Sequence, residues 1–171
     1  MKLELSADKS LLYKKTEDWD FSSPPFDIAD FSLALVDTML AKKGWGLAAN
    51  QVGYPLRIFA MEGMPEKFIC INPRIVHFSE EKVELEEACL SYPGLVFHIE
   101  RPRHVRLRFY APNGEVYTKQ FTGITARTVQ HEICHLDGVP FWSGISRLKF
   151  DMVKKKALKK GFDYSNLPLK P

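Results

Sequence analysis

His131, Glu132 and His135 have the residue types and spacing of a metal-dependent hydrolase, the pattern HExxH. On a helix, residues four apart differ by about 40° of rotation and roughly 6 Å of rise, so both imidazoles leave one face and reach one ion. Glu132 flanks that face, where it exchanges a proton with water on the ion without being a ligand. A pattern with three specified positions also arises by chance on a core helix with satisfied histidines, so the rest of the chain has to decide. A catalytic site of this kind takes three protein ligands and keeps one position for water. The longer metalloprotease pattern HExxHxxGxxH is met through Gly138, but Phe141 stands where its last histidine belongs, and no glutamate follows Glu132. The remaining donors, His77, His98, His104, Cys70 and Cys89, all lie upstream. Among them Cys89 stands out by its setting, EEACLSYPG, a short segment whose thiolate suits zinc or iron. A lone cysteine is more usually a small buried hydrophobe, and that reading stays open for Cys89. Cys134 is rotated about 60° from His131 and about 100° from His135, which aims it away from a shared ion. Core is the expectation for Cys134 and for Cys70, in FICIN.

Several elements must position these groups. Helical spacing of Ile124, Val129, Ile133 and Leu136 predicts a helix from about Ile124 to Gly138 that carries the histidines. Ile28, Phe31, Leu35, Met39 and Leu40 predict an earlier amphipathic helix, with Asp27 as N-cap and Gly44 as its stop. GWGLAANQVG follows, and its small residues let backbone approach another group closely. Its spacing fits neither a P-loop nor a dinucleotide fingerprint. Strands are predicted at Leu56 to Met61 and Lys67 to Ile71, with Asn72-Pro73 as a break before Arg74 to Phe78. Val105, Leu107 and Phe109 alternate with charges, Pro112-Asn113-Gly114 turns, and Val116 to Phe121 returns as a hairpin. The first 26 residues, with Pro24 and Pro25, read as irregular chain over the surface, and residues 150–171 as a basic tail with a short cationic helix ending near Gly161. The order of elements predicts an α+β fold, a mostly antiparallel sheet packed around the HExxH helix.

Composition bounds the function classes. The 171 residues suit a single catalytic domain, with 45% hydrophobic and 26% charged residues. A net charge of +3 is too small for a nucleic-acid surface over the whole chain, although six lysines and one acid fall between Lys149 and Lys160. No apolar run approaches the roughly 20 residues of a membrane span, and MKLELSADKS lacks a signal-peptide core. Three cysteines, an odd number, fit reduced thiols. A cytoplasmic monomer is expected.

Three stretches in order, GWGLAANQ (Gly44 to Gln51), EACLS (Glu87 to Ser91) and QHEICHLDG (Gln130 to Gly138), resemble the peptide deformylases. That family removes the formyl group from the N-terminal methionine of new chains, and its motifs are GxGxAAxQ, EGCLS and QHExxHxxG. The resemblance covers residues 27–150 and departs at Ala88, where the family has glycine. It implies that Cys89, His131 and His135 hold one divalent ion, Fe2+ by expectation, with Zn2+, Ni2+ or Co2+ able to use the same ligands. It implies attack by a hydroxide formed on the ion, with Glu132 as general base and then acid, and Gln51 and the Leu90 N–H as oxyanion donors. Gly46 is expected to pair with the extended peptide, and Trp45, Leu85, Ala88, Ile124, Arg127 and Thr128 to surround the methionine side chain. Arg127 is expected to snorkel outward, its stem covering the pocket. For the tail, docking on the ribosome competes with a plain solvated face, the usual fate of lysine runs. An HExxH endopeptidase and a non-catalytic metal module remain as competing classes; Phe141 weakens the first, and the presence of Glu132 and Gln51 the second.

Overall fold

Apolar residues at helical spacing after Asp27 produce α1, Ile28–Ala41, in a computed structural model that describes residues 2–169. The Asp27 carboxylate accepts hydrogen bonds from the Ala29 and Asp30 N–H groups at 2.8 and 3.0 Å, satisfying two donors that a helix start leaves open. Phe31, Leu35 and Met39 are buried, whereas Leu40, expected on the same face, is half exposed. Past the helix the Gly44 N–H donates to the Met39 carbonyl, closing the stop.

Five strands form one antiparallel sheet in the order β1 (Gly46–Ala48), β2 (Ile58–Glu62), β3 (Lys67–Phe78), β6 (His104–Tyr110) and β7 (Val116–Thr122). β4 (Lys82–Ala88) and β5 (Val96–Pro102) make a separate antiparallel pair. The HExxH helix is α2, Gly123–Leu136, and the basic stretch is α3, Arg147–Lys159. The two-residue period of β2 shows how the layers are arranged. Ile58 and Ala60 join the α1 residues Phe31, Leu35 and Met39 in one core cluster. Phe59 and Met61 join Ala126, Val129 and Leu136 of α2 in another. β2 is therefore covered on both faces, α1 on one side and α2 on the other, which is the predicted α+β arrangement. A third, aromatic cluster of Tyr92, Phe97, Phe141, Trp142 and Phe150 ties β5 and α3 to the chain after α2.

Several expectations are corrected. Asn72-Pro73 does not break the strand: β3 runs through it, and its pairing with β6 shifts register between Ile71 and Arg74. Asn72 adopts φ 50°, which asparagine tolerates, and a bulge is where a strand accepts proline. Its side-chain amide clasps the backbone of Trp19, accepting from the N–H at 2.7 Å and donating to the carbonyl at 2.9 Å. The sequence does not predict the β4–β5 pair, because the alternation in KVELEEA stops after Val83 and Leu85, most of its side chains are exposed, and its one buried side chain is the Glu87 carboxylate. The first 26 residues are irregular apart from a 3-10 turn at Ser10–Tyr13, yet they bury Leu3, Leu12 and Trp19. The tail is likewise more than a solvated face. Phe150 and Ala157 are buried, and residues 1, 170 and 171 lie outside the described chain.

Candidate active site

α2 delivers the two histidines and the loop after β4 delivers the sulfur. The Cys89 Sγ and one ring nitrogen each from His131 and His135 lie within 4.8 Å of one another. Cys89 Sγ is 3.2 Å from His135 Nε2, and the two imidazole centroids are 5.0 Å apart. Of the upstream donors left open by the sequence, Cys89 alone joins the pair among the described residues. Cys70 is core, and Cys134 sits off the site, its sulfur 3.7 Å from the Arg101 guanidinium. Phe141, in place of a downstream histidine, packs against the His131 ring at 5.0 Å.

These groups fit a cation. All four of Cys89, His131, Glu132 and His135 are buried, and Glu132 Oε2 has no hydrogen-bond partner. Burial pushes the Cys89 thiol up to about 12 and holds the His135 imidazole neutral, well below its usual range. Burial, with the charge on Glu87 adding, also pushes the Glu132 carboxyl well above the carboxylate range. A cation among them reverses the logic for the sulfur, since a coordinating thiol is deprotonated outright. One thiolate and two imidazoles are a donor set shared by several transition metals.

Glu87 is a residue whose role sequence reasoning missed. Its Oε2 lies 3.1 Å from His131 Nδ1, which leaves the other ring nitrogen for an ion and sets the ring's orientation. The same carboxylate takes hydrogen bonds from Arg101 and Arg127. Burial alone would raise the Glu87 pKa, but the His131 and Arg101 hydrogen bonds bring it down to about 2. Glu87 sits inside the quoted motif, so its position carried a signal, whereas nothing in the sequence singled out Arg101. Ser91 and Asn50 were also missed. Ser91 Oγ accepts from Gln51 Nε2 at 3.0 Å, and Asn50 Nδ2 donates to the His135 carbonyl at 2.6 Å.

The glycines mark close approaches. A Cβ on Gly46 would run into the Glu132 carboxylate and the Thr128 methyl, and one on Gly44 would come 2.7 Å from Leu90 Cδ1. Gly138, at φ 70°, would meet the Lys14 backbone at 2.6 Å, so the motif's last glycine lets the N-terminal segment cross the end of α2. Thr16 completes that crossing with its N–H and hydroxyl, both 2.9 Å from the Leu136 carbonyl.

Beside the site opens a cleft of about 380 Å³ whose lining includes Trp45, Gly46, Gln51, Ala88, Leu90, Ile124, Arg127, Thr128 and Glu132. Gln51 Oε1 accepts from the Ala48 N–H at 2.9 Å, which turns the amide nitrogen toward Ser91 and the Cys89 sulfur, at 3.7 Å. β1 is an edge strand, so Gly46 has backbone on a free side of the sheet. Two expectations fail. Leu85 does not line the cleft: it is exposed and lines a separate cavity with Val83 and Arg101. Arg127 does not snorkel: it is buried and donates to Glu87 Oε1 at 2.7 Å and to the Ile99 and Val83 carbonyls. Three acceptors in reach outweigh the pull of solvent.

The family model described as Polypeptide deformylase matches residues 3–151, which takes in most of the first 26 residues as well as the three motifs. A peptide deformylase of Wolbachia pipientis from Culex pipiens is 39% identical over 155 residues, 81% of this chain and 87% of the relative. The crystal structure of a peptide deformylase from Ehrlichia chaffeensis superposes with a TM-score of 0.80 at 33% identity, covering 94% of this chain and 97% of that one. One from Legionella pneumophila gives 0.82 at 29% identity, with 94% of each chain covered.

Proposed function

The chain belongs to the peptide deformylase family, and on that premise we propose which residues carry out its reaction, the metal-dependent removal of the N-formyl group from formyl-methionyl peptides. Cys89, His131 and His135 would hold one divalent ion, with Glu87 orienting His131. When bound, the ion supplies Lewis acidity and lowers the pKa of a water from about 15.7 toward 7. Glu132 takes the proton from the attacking water and later delivers it to the amine as the formyl C–N bond breaks and formate leaves. Gln51 Nε2 and the Leu90 N–H steady the negative charge that develops on the formyl oxygen. The edge backbone at Gly46 pairs with the extended peptide, as a strand adds to a sheet. Trp45, Ala88, Ile124, Arg127 and Thr128 surround the methionine side chain.

The observation that supports this assignment best is the unpartnered, buried Glu132 oxygen beside a sulfur and two ring nitrogens gathered within 4.8 Å. Formate release from a formyl-Met peptide tests it. Glu132→Gln should abolish most turnover while the ion is retained; full activity in that variant would remove Glu132 from the proton path.

Further readings rest on the family resemblance for the ion and on length and composition for the rest. The ion is Fe2+, the chain works as one catalytic domain and as a monomer, and its setting is the cytoplasm. Sedimentation and cell fractionation test the last two. No helix among the described residues is long and apolar enough to cross a membrane. Ribosome docking through α3 draws on lysines that stay on its exposed side, Lys155, Lys156, Lys159 and Lys160. Co-sedimentation with ribosomes that survives deletion of residues 150–171 would refute it.

A further inference from the structure

His135 stands one residue from the end of α2, where a helix leaves its last four carbonyls without intrahelical donors. The Ile133 and Cys134 carbonyls accept from the N–H groups of Asp137 and Val139, both at 2.9 Å. Those of His135 and Leu136 accept from side chains far along the chain. Thr16 donates to the Leu136 carbonyl, and the fully buried Asn50 amide donates to that of His135 at 2.6 Å. Asn50 Nδ2 also lies 3.4 Å from the Leu11 carbonyl. Carbonyls only accept, so these two neighbours fix the amide with its nitrogen toward them, and Asn50 Oδ1 stays buried without a hydrogen-bond partner among the described residues. The His135 carbonyl accepts from the Gly138 N–H as well, at 3.2 Å, and would not go unpaired without Asn50. An apolar side chain of the same shape would spare the unmet oxygen, so local stability alone does not account for an asparagine here.

The neighbour of Asn50 is Gln51. The 3-10 turn Ala49–Val52 thus presents one amide to the backbone of His135 and the next to Ser91 and the Cys89 sulfur. An oxyanion donor works only within about 2.7–3.1 Å of the place where charge develops, and a misplacement of about 1 Å costs about a hundredfold in rate. We infer that Asn50 is a positioning residue, one that pins the turn bearing Gln51 to the end of the helix bearing His135 and so holds the oxyanion donor in register with the metal ligands. This deepens the deformylase reading and rests on it.

A double-mutant cycle on formate release from a formyl-Met peptide tests the pin, with kcat/KM read on metal-saturated protein and metal affinity measured separately by competition with a chelating dye. In the wild-type background Gln51→Ala should lower kcat/KM by about a hundredfold or more. Asn50→Leu by itself should lose most of that factor, and adding Gln51→Ala to it should cost less than about tenfold, because the donor is already displaced. Asn50→Leu should also weaken metal affinity by about tenfold. A merely structural asparagine would move the melting temperature and leave the cycle additive. Equal Gln51→Ala losses in the two backgrounds overturn the inference, as does an unchanged metal affinity. Should Asn50→Leu fail to fold, Asn50→Asp, of the same size but with acceptors where the donor stood, carries the same comparison. Thr16→Val removes the hydroxyl from the neighbouring Leu136 carbonyl and leaves the Thr16 N–H in place, so it should keep the full Gln51→Ala loss. A loss reduced as in Asn50→Leu would assign the coupling to the helix end as a whole and overturn the pin. Absence of formate with the wild type would instead sink the deformylase assignment.

Discussion

At the scale of single residues, the site depends on buried polar groups whose hydrogen bonds aim them at the ligand atoms. Gln51 accepts from the Ala48 N–H through its carbonyl, and its amide nitrogen donates to Ser91 Oγ at 3.0 Å and faces the Cys89 sulfur at 3.7 Å. Gln51→Ala should lower turnover by about a hundredfold to a thousandfold, the cost of one oxyanion donor, with metal content near wild type. Unchanged turnover would take Gln51 out of the mechanism. Glu87 offers a test through pH. Its carboxyl is held from an ordinary 4.5 down to about 2, so the folded state favours the ionised form. The stability it contributes, about 3 kcal/mol, is fully present above pH 4.5 and is lost as pH falls toward 2. Urea unfolding of wild type and Glu87→Gln should show a stability gap that narrows over that window; a gap independent of pH would mean that the carboxylate's charge does not matter. Both residues stand in motifs that the sequence displayed. Their partners, Ser91, Arg101 and Arg127, come from hydrogen-bond geometry that no spacing encodes.

At the scale of elements, the segment after α3 folds back on the loop that carries Cys89. Tyr164 Oη donates to the Pro93 carbonyl at 2.8 Å, and Phe162 packs where a Cβ on Gly94 would fall, 2.6 Å from its ring. Tyr92, three residues past Cys89, packs on Trp142 and shares a 3.0 Å hydrogen bond with Tyr13 of the N-terminal turn. Deleting residues 162–171 should therefore weaken metal retention by about tenfold, the usual scale for a support one layer behind the ligands. Competition with a chelating dye measures it, and unaltered retention would detach the tail from the site. α1, the β6–β7 hairpin and α2 were readable because each keeps one clean period. β4 and β5 were not, since their apolar alternation is only two residues long in each, Val83 with Leu85 and Phe97 with Ile99, among charged neighbours. The Asn72 bulge was hidden for another reason: an Asn-Pro pair marks a break locally, and only pairing on both sides of it keeps the strand going.

At the scale of the whole molecule, an ion at this site would join the β4 loop to α2, so metal removal should destabilise the fold as well as the activity. Ion present at a hundredfold over its Kd adds about 2.7 kcal/mol, so chelation should lower the melting temperature and re-addition restore it. A melting temperature indifferent to chelator would argue against a bound ion. Iron- and nickel-loaded preparations, made without oxygen and then exposed to air, test the choice of metal; activity that stays equal and stable would count against iron. The amino-acid order by itself determined the two helices and the hairpin, the helical pairing of His131 with His135, and the family, because short periods and three ordered motifs are local properties. Only the tertiary structure decided that Cys89 meets that pair, that Glu87 braces His131, and that Arg127 turns inward to wall the cleft. Those contacts span 28 to 46 residues along the chain, and they depend on how two sheets and a helix are packed, which local sequence does not encode.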